Sequence, residues 1–149
     1  MKLNLGCGYR HIDGFVNIDI RPECKPDLLC DLSINLPYDD GTIEVVRAFD
    51  FLEHIEIGKT VSMVEEIWRV LKPGGILAHM TPSTDGRGAF QDPTHRSFWN
   101  INSWIYYTDP AHRELIGTVA NFKIIEQRDV MTNHELKIVH TFGTLEAVK

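Results

Sequence analysis

Lys2-Leu3-Asn4-Leu5-Gly6-Cys7-Gly8 opens the chain, and Phe15-Val16-Asn17-Ile18-Asp19-Ile20 follows shortly after. Leu3 to Leu5 reads as a short apolar strand that breaks into a Gly-x-Gly turn. The second stretch alternates apolar and polar positions up to Arg21-Pro22, the pattern of a half-buried strand. Working outward, Asp27 to Leu32 is a weaker third strand, and Glu44 to Phe49, β-branched and apolar, a fourth. Between Lys59 and Leu71, the residues Val61, Val64, Ile67, Trp68 and Leu71 form one apolar stripe at helical spacing. Lys72-Pro73-Gly74-Gly75 stops that helix, since proline cannot continue it and glycine accepts the reversed turn. Ile76 to Met80 is the next strand. Phe122 to Val130 and Leu136 to Phe142 form an antiparallel pair around Met131-Thr132-Asn133. Strands alternating with a helix predict a single α/β domain over residues 1–149, with a mostly parallel sheet and an antiparallel C-terminal strand pair.

The Gly6-x-Gly8 turn follows a strand directly, and a ligand can lie against it because no side chain projects there. Such turns also arise for backbone reasons alone, so the acids that follow carry weight. Asp19 closes the second strand beside the crevice where open α/β sheets bind ligands, and a carboxylate there can accept both hydroxyls of a ribose. Asp31 closes the third strand, where it can face an adenine amino group. Both acids also suit solvated strand ends. A nicotinamide dinucleotide needs a third glycine and a helix N-terminus facing its pyrophosphate. Here His11 holds the third position, and ten residues separate Leu5 from Val16, too few for a helix and a return. A ligand without a pyrophosphate fits better.

Composition narrows the class. Of 149 residues, 43% are hydrophobic and 24% charged, an ordinary globular balance that argues against disorder. The net charge of −6 opposes broad electrostatic capture of nucleic acid. No apolar run approaches the ~18 residues of a membrane span, and Lys2 leads at once into a strand rather than a secretory signal. A cytoplasmic protein is expected. Cys7, Cys24 and Cys30 form no CxxC pair, and their odd number argues against a disulfide framework.

Five blocks in order resemble the class I S-adenosylmethionine-dependent methyltransferases of the small type 11 kind. They are Leu3 to Gly8; Asn17-Ile18-Asp19; Cys30-Asp31-Leu32 with Leu36-Pro37-Tyr38; Phe51-Leu52-Glu53-His54-Ile55; and Glu66 to Gly75. The resemblance runs from about Lys2 to Pro82. It implies a Rossmann-like methyltransferase fold with S-adenosylmethionine as cofactor and S-adenosylhomocysteine as product. By the same resemblance, Gly6 and Gly8 support the methionine end, Asp19 holds the ribose, and Asp31 with Leu32 meets the adenine. Phe49 would lie near the transferred methyl. Asn4 stands where the family often carries an acid, and its side-chain oxygen can still accept a hydrogen bond from the methionine amino group.

The N-terminal half is shortened. Parallel neighbours need a crossover of roughly a dozen residues or more, and the connections after the first two strands barely reach it. One sheet face is therefore expected to be under-covered, and to be closed by the Thr84 to Pro110 segment, by a second subunit, or by both.

Residues 84–110 read as an insert on the acceptor side, polar, glycine-rich and aromatic. Its Pro93-Thr94-His95-Arg96 run, followed by aromatics, resembles the acceptor-side insert of some small methyltransferases. Methyl transfer to a hydroxyl or amine requires loss of a proton, which a positioned imidazole can take. His95 is the candidate base, Asp92 its orienting partner or a substrate contact, and Arg87 and Arg96 candidates for holding an anionic acceptor. These residues could equally serve to tie the loop down. The expected acceptor is a small molecule or glycan, methylated on O or N. The seven histidines and the acids show no metal-ligand spacing, so no metal is expected. Thr81-Pro82-Ser83-Thr84 lacks the Asn/Asp-Pro-Pro-aromatic run of amino-methylating DNA enzymes, and no Pro-Cys nucleophile exists for cytosine C5 chemistry. A non-catalytic adenosyl-ligand-binding module acting through a partner protein is the alternative.

Overall fold

The connections after the first two strands are too short for packed helices, and the structure shows what replaces them. The structure, a computed structural model, describes residues 1–32 and 35–149. The strands are β1 (Lys2–Leu5), β2 (Val16–Asp19), β3 (Leu28–Leu29), β4 (Ile43–Phe49), β5 (Leu71–Pro82), β6 (Phe122–Asn133) and β7 (Ile138–Ala147). The α-helices are α1 (Thr60–Val70), α2 (Gly88–Gln91) and α3 (Pro110–Ile116). One sheet runs in the order β3-β2-β1-β4-β5-β7-β6. β3, β2, β1, β4 and β5 are parallel, and β7 runs antiparallel to both β5 and β6. Among the described residues no helix is long and apolar enough to cross a membrane.

One face of the sheet carries the core. Leu3, Leu5, Ile18, Val46, Ala48, Leu77 and Leu145 are buried there with Met63, Val64, Ile67 and Val70 of α1. Trp99, Trp104 and Tyr107 join the same cluster. Trp104 lies over His79 of β5, with ring centroids 4.2 Å apart. Burial pushes the His79 pKa down to about 3, so the imidazole stays neutral in the core.

On the other face, a polar rung crosses the strands. Asn17, Asn4 and Arg47 are neighbours in register on β2, β1 and β4. Asn4 Nδ2 donates to Asn17 Oδ1 at 2.9 Å and to the Arg10 carbonyl at 3.0 Å. Arg47 Nη1 donates to Asn4 Oδ1 at 2.8 Å. Asp27 Oδ2 accepts from the Asn17 backbone and side-chain N–H groups, both at 2.8 Å, and the Ile12 amide donates to Asn17 Oδ1. The ten-residue β1–β2 connection is thus fastened by side-chain hydrogen bonds instead of by helix packing.

Several expectations are corrected. The Thr84 to Pro110 segment does not close the helix-poor face, because its Trp99, Trp104 and Tyr107 pack into the core beside α1. That segment is also more ordered than a loop, with α2, a 3-10 helix at Ile101–Tyr107 and the start of α3. The third strand shrinks to two residues, β5 starts at Leu71 rather than Ile76, and the final hairpin turns at residues 134–137 instead of around Met131 to Asn133.

Gly143 of β7 is paired with His79, and a Cβ added at Gly143 would overlap the imidazole. Gly143→Ala is expected to cost about 1–3 kcal/mol through overpacking. Calorimetry should show a Tm lower by several degrees; an unchanged Tm would mean the strand pair adjusts freely.

Candidate active site

The carboxyl ends of the parallel strands converge on one cleft of about 600 Å³. Gly6 after β1, Asp19 at the end of β2, and Asp31 and Leu32 after β3 line one part. Asp50 and Phe51 after β4, His54, and Asp92 and Thr94 from beyond β5 line the rest. This is the crevice where open α/β sheets take ligands, at a volume that suits a cofactor-sized molecule.

Asp19 is 6% exposed and held in place by its neighbours. The Gly8 amide donates to Oδ2 at 2.7 Å, the Arg21 amide to Oδ1 at 2.9 Å, and Arg21 Nε to Oδ1 at 3.3 Å. Burial pushes the carboxyl up, but these hydrogen bonds and the Arg21 charge outweigh it and hold the group below its ordinary range. Asp19 is therefore an ionised acceptor at the cleft wall, with an acceptor position on Oδ2 still open. Gly6 and Gly8 adopt φ of +59° and +51°, the left-handed region that glycine enters without penalty. A Cβ at Gly6 would also meet the Phe51 ring at 2.7 Å, so this glycine seats Phe51 as well as bounding the cleft.

Beyond β4 the chain turns sharply. Asp50 has φ of +50°, rare for a non-glycine residue, and leads into the 3-10 turn Leu52–His54. The Glu53 carbonyl accepts from the Arg96 and Ser97 amides at 2.7 and 3.0 Å, and Ser97 Oγ donates to the Leu52 carbonyl at 2.8 Å. These bonds fasten the insert to the 3-10 turn and bring His95 against His54, with ring centroids 5.1 Å apart. His95 Nδ1–H donates to the Ala89 carbonyl at 2.9 Å, leaving its Nε2 with a lone pair, 3.8 Å from Asp92 Oδ2. Asp92 accepts from the Thr94 amide and hydroxyl, which hold its carboxyl below the ordinary range. Glu53 is buried, and burial pushes its carboxyl up to about 8, with Asp50 and Asp92 adding to the shift.

The expected residues divide. Gly6, Asp19, Asp31, Leu32 and Asp92 line the cleft, and His95 stands beside it through Asp92 and His54. Gly8 acts one step back, as the donor to Asp19. Asn4 is corrected: its amide is consumed by Arg10, Asn17 and Arg47 and does not reach the cleft. Phe49 is corrected too. The strand pleat sends it to the opposite face, 3.7 Å from the Arg47 guanidinium and edge-on to Phe142. Arg87 and Arg96 are exposed and do not line the cleft. Sequence reasoning missed Ile20, Arg21, Cys30, Asp50, Phe51 and Ile55 as lining residues. All but Ile55 lie within two residues of a strand end, so the strand ends were their available signal.

Folded Glu53 keeps its proton up to about 8, whereas the ordinary value is 4.5. Between these values the folded chain binds the extra proton, so this group's contribution to stability is complete below pH 4.5 and lost as pH rises through about 8. Asp50 and Asp92 add to that upward shift, and the His54 and His95 rings lie beside the carboxyl. Glu53→Gln, neutral at every pH, should gain stability over wild type on the order of a few kcal/mol in alkaline buffer and little in acid. Thermal melts of chelator-treated protein check this; an equal change at both ends would refute the protonated carboxyl.

Residues 15–79 match the family described as "Methyltransferase domain", type 11. No curated protein sequence matches the chain. Among solved structures, the [4+2]-cyclase SpnF is similar with a TM-score of 0.69 at 16% identity, over 99% of this chain and 74% of that one. The Burkholderia thailandensis 1,6-didemethyltoxoflavin-N1-methyltransferase, solved with its substrate and S-adenosylhomocysteine, gives 0.65 at 16%, over 99% and 71%. A Haloferax volcanii protein described as a methyltransferase, in complex with the Trm112 methyltransferase activator, gives 0.71 at 16%, over 99% and 82%. At such identities the likeness is one of fold, and the family match is confined to residues 15–79. The type 11 methyltransferase match thus spans residues 15–79, and the chain as a whole has the fold of its methyltransferase neighbours.

Proposed function

We propose that this chain is an S-adenosylmethionine-dependent methyltransferase acting on an oxygen or nitrogen atom of a small-molecule or glycan acceptor. The observation that carries the reading is a single cleft that joins the Asp19 carboxylate to Asp92 and the His54–His95 pair. In this reading Asp19 takes the ribose hydroxyls, Asp31 and Leu32 meet the adenine, and the Gly6 to Gly8 turn lies under the methionine end. Bound S-adenosylmethionine supplies a methyl group on a sulfonium leaving group, so the chain's task is alignment and exclusion of water. His95 takes the acceptor's proton at Nε2, because the Ala89 carbonyl keeps the ring N–H on Nδ1. The Ala89 carbonyl orients that ring, and Asp92, 3.8 Å from Nε2, stabilises the imidazolium once it forms. Arg87 and Arg96 stand outside the cleft, and the reading does not need them.

A second reading, an adenosyl-ligand-binding module that works through a partner protein, draws support from the Haloferax volcanii neighbour in complex with an activator.

Calorimetric titration with S-adenosylmethionine and S-adenosylhomocysteine, with NAD as control, tests the cofactor assignments. Both adenosyl ligands should bind and NAD should not, and Asp19→Ala should weaken binding at least tenfold. On an acceptor that turns over, His95→Ala should lower kcat by about 10²–10⁴, the usual worth of a positioned base. Undiminished turnover would remove His95 from the proton transfer, and tight binding without turnover on any acceptor would favour the second reading.

A further inference from the structure

The reading above leaves Glu53 unused, although the fold goes to some length to bury it. Glu53 is 2% exposed, and neither carboxylate oxygen has a hydrogen-bond partner among the described residues. A buried carboxyl without a partner is costly, and it persists where another interaction can answer it. Two imidazoles stand next to it. Glu53, His54 and His95 each offer one ligand atom, and these atoms all lie within 4.8 Å of one another. The insert was fastened to the Leu52–His54 turn by backbone bonds that involve none of the three side chains, so the cluster is built independently of any contact within it.

The tautomers also suit ligation. Histidines that bind metals characteristically donate the other ring N–H to a carbonyl or carboxylate, which fixes the ring and raises the basicity of the ligand nitrogen. His95 does this through Nδ1 to the Ala89 carbonyl at 2.9 Å. Thr94 Oγ1, 3.4 Å from His54 Nδ1, is placed to play the same part for the second ring. His54 and Asp92 line the cleft, so one side of the cluster opens toward the proposed acceptor region.

We propose that Glu53, His54 and His95 bind a divalent first-row transition cation, of the zinc and manganese kind, at the inner end of the cleft. Two imidazoles and one carboxylate form a donor set used by catalytic zinc and related ions, which keep a further position open for water or substrate. Magnesium prefers an all-oxygen shell and is expected to bind poorly here. The site deepens the methyl-transfer reading by changing how the acceptor is activated. An acceptor hydroxyl at the open position would release its proton to water more readily, and His95 Nε2 would serve as a ligand rather than as the base. Sequence spacing gave no metal because forty residues separate His54 from His95, a gap that only the fold closes.

The test is metal binding by the full chain, read without activity. Chelator-stripped protein is titrated with Co²⁺ by visible absorption and with Zn²⁺, Mn²⁺ and Mg²⁺ by calorimetry. The expected result is a single cation per chain with a ligand-field spectrum, little binding of Mg²⁺, and affinity weakened roughly tenfold or more in both Glu53→Gln and His95→Ala. Circular dichroism of both variants confirms that they remain folded. The proposal falls if no stoichiometric Co²⁺, Zn²⁺ or Mn²⁺ binding occurs, or if folded variants bind as wild type does. Adenosyl-ligand binding in a chain that takes no cation would keep the methyl-transfer reading and remove the metal. Cation binding lost in the variants, in a chain that takes no adenosyl ligand, would keep the metal site and remove that reading.

Discussion

Two buried side-chain amides hold the N-terminal half of this sheet together. Asn4 and Asn17 face one another across β1 and β2, and through Arg47, Asp27, Arg10 and Ile12 they reach β4 and both connections. In a low-dielectric interior such a network is strong when complete and costly when broken, because each orphaned amide would pay its full desolvation. The rung therefore does what crossover helices do in longer chains: it fixes the strand order and register with few residues. Asn4 is unavailable to a ligand for the same reason.

The site inherits its geometry from that arrangement. With β1, β2 and β4 in register, Gly6, Asp19 and Asp50 emerge on one edge, and the Gly8 amide can fix the Asp19 carboxylate. The acceptor side has a different origin. It depends on two amides, those of Arg96 and Ser97, that donate to the Glu53 carbonyl and draw the insert across the mouth of the sheet. Trp99, Trp104 and Tyr107 then anchor the insert in the core, so the apolar surface that stabilises the fold also holds His95 beside the cleft.

The neighbours show how little the fold alone decides. A [4+2]-cyclase, a methyltransferase named for its nitrogen acceptor and a protein in complex with an activator share this architecture at the same 16% identity to the chain. What separates such proteins lies in the side chains at the cleft. In this chain the inner end of the cleft holds a buried carboxyl, without a hydrogen-bond partner among the described residues, and two imidazoles.

Local pattern was enough for much of the architecture. Alternation and apolar runs marked β1, β2 and β4, the stripe of Val64 and Ile67 marked α1, and the glycine and acid spacing marked the Gly6, Asp19 and Asp31 edge. These features are legible because strand and helix periodicity and strand-end chemistry are written within a few adjacent residues. Tertiary structure alone decided which way a strand-end side chain points, sending Phe49 to the far face and Phe51 into the cleft. It also decided that Asn4 would be spent on packing and that Glu53 and His54 would meet His95. Contacts between residues far apart in the chain arise only when separate segments are pressed together by a shared core, and no local pattern encodes them.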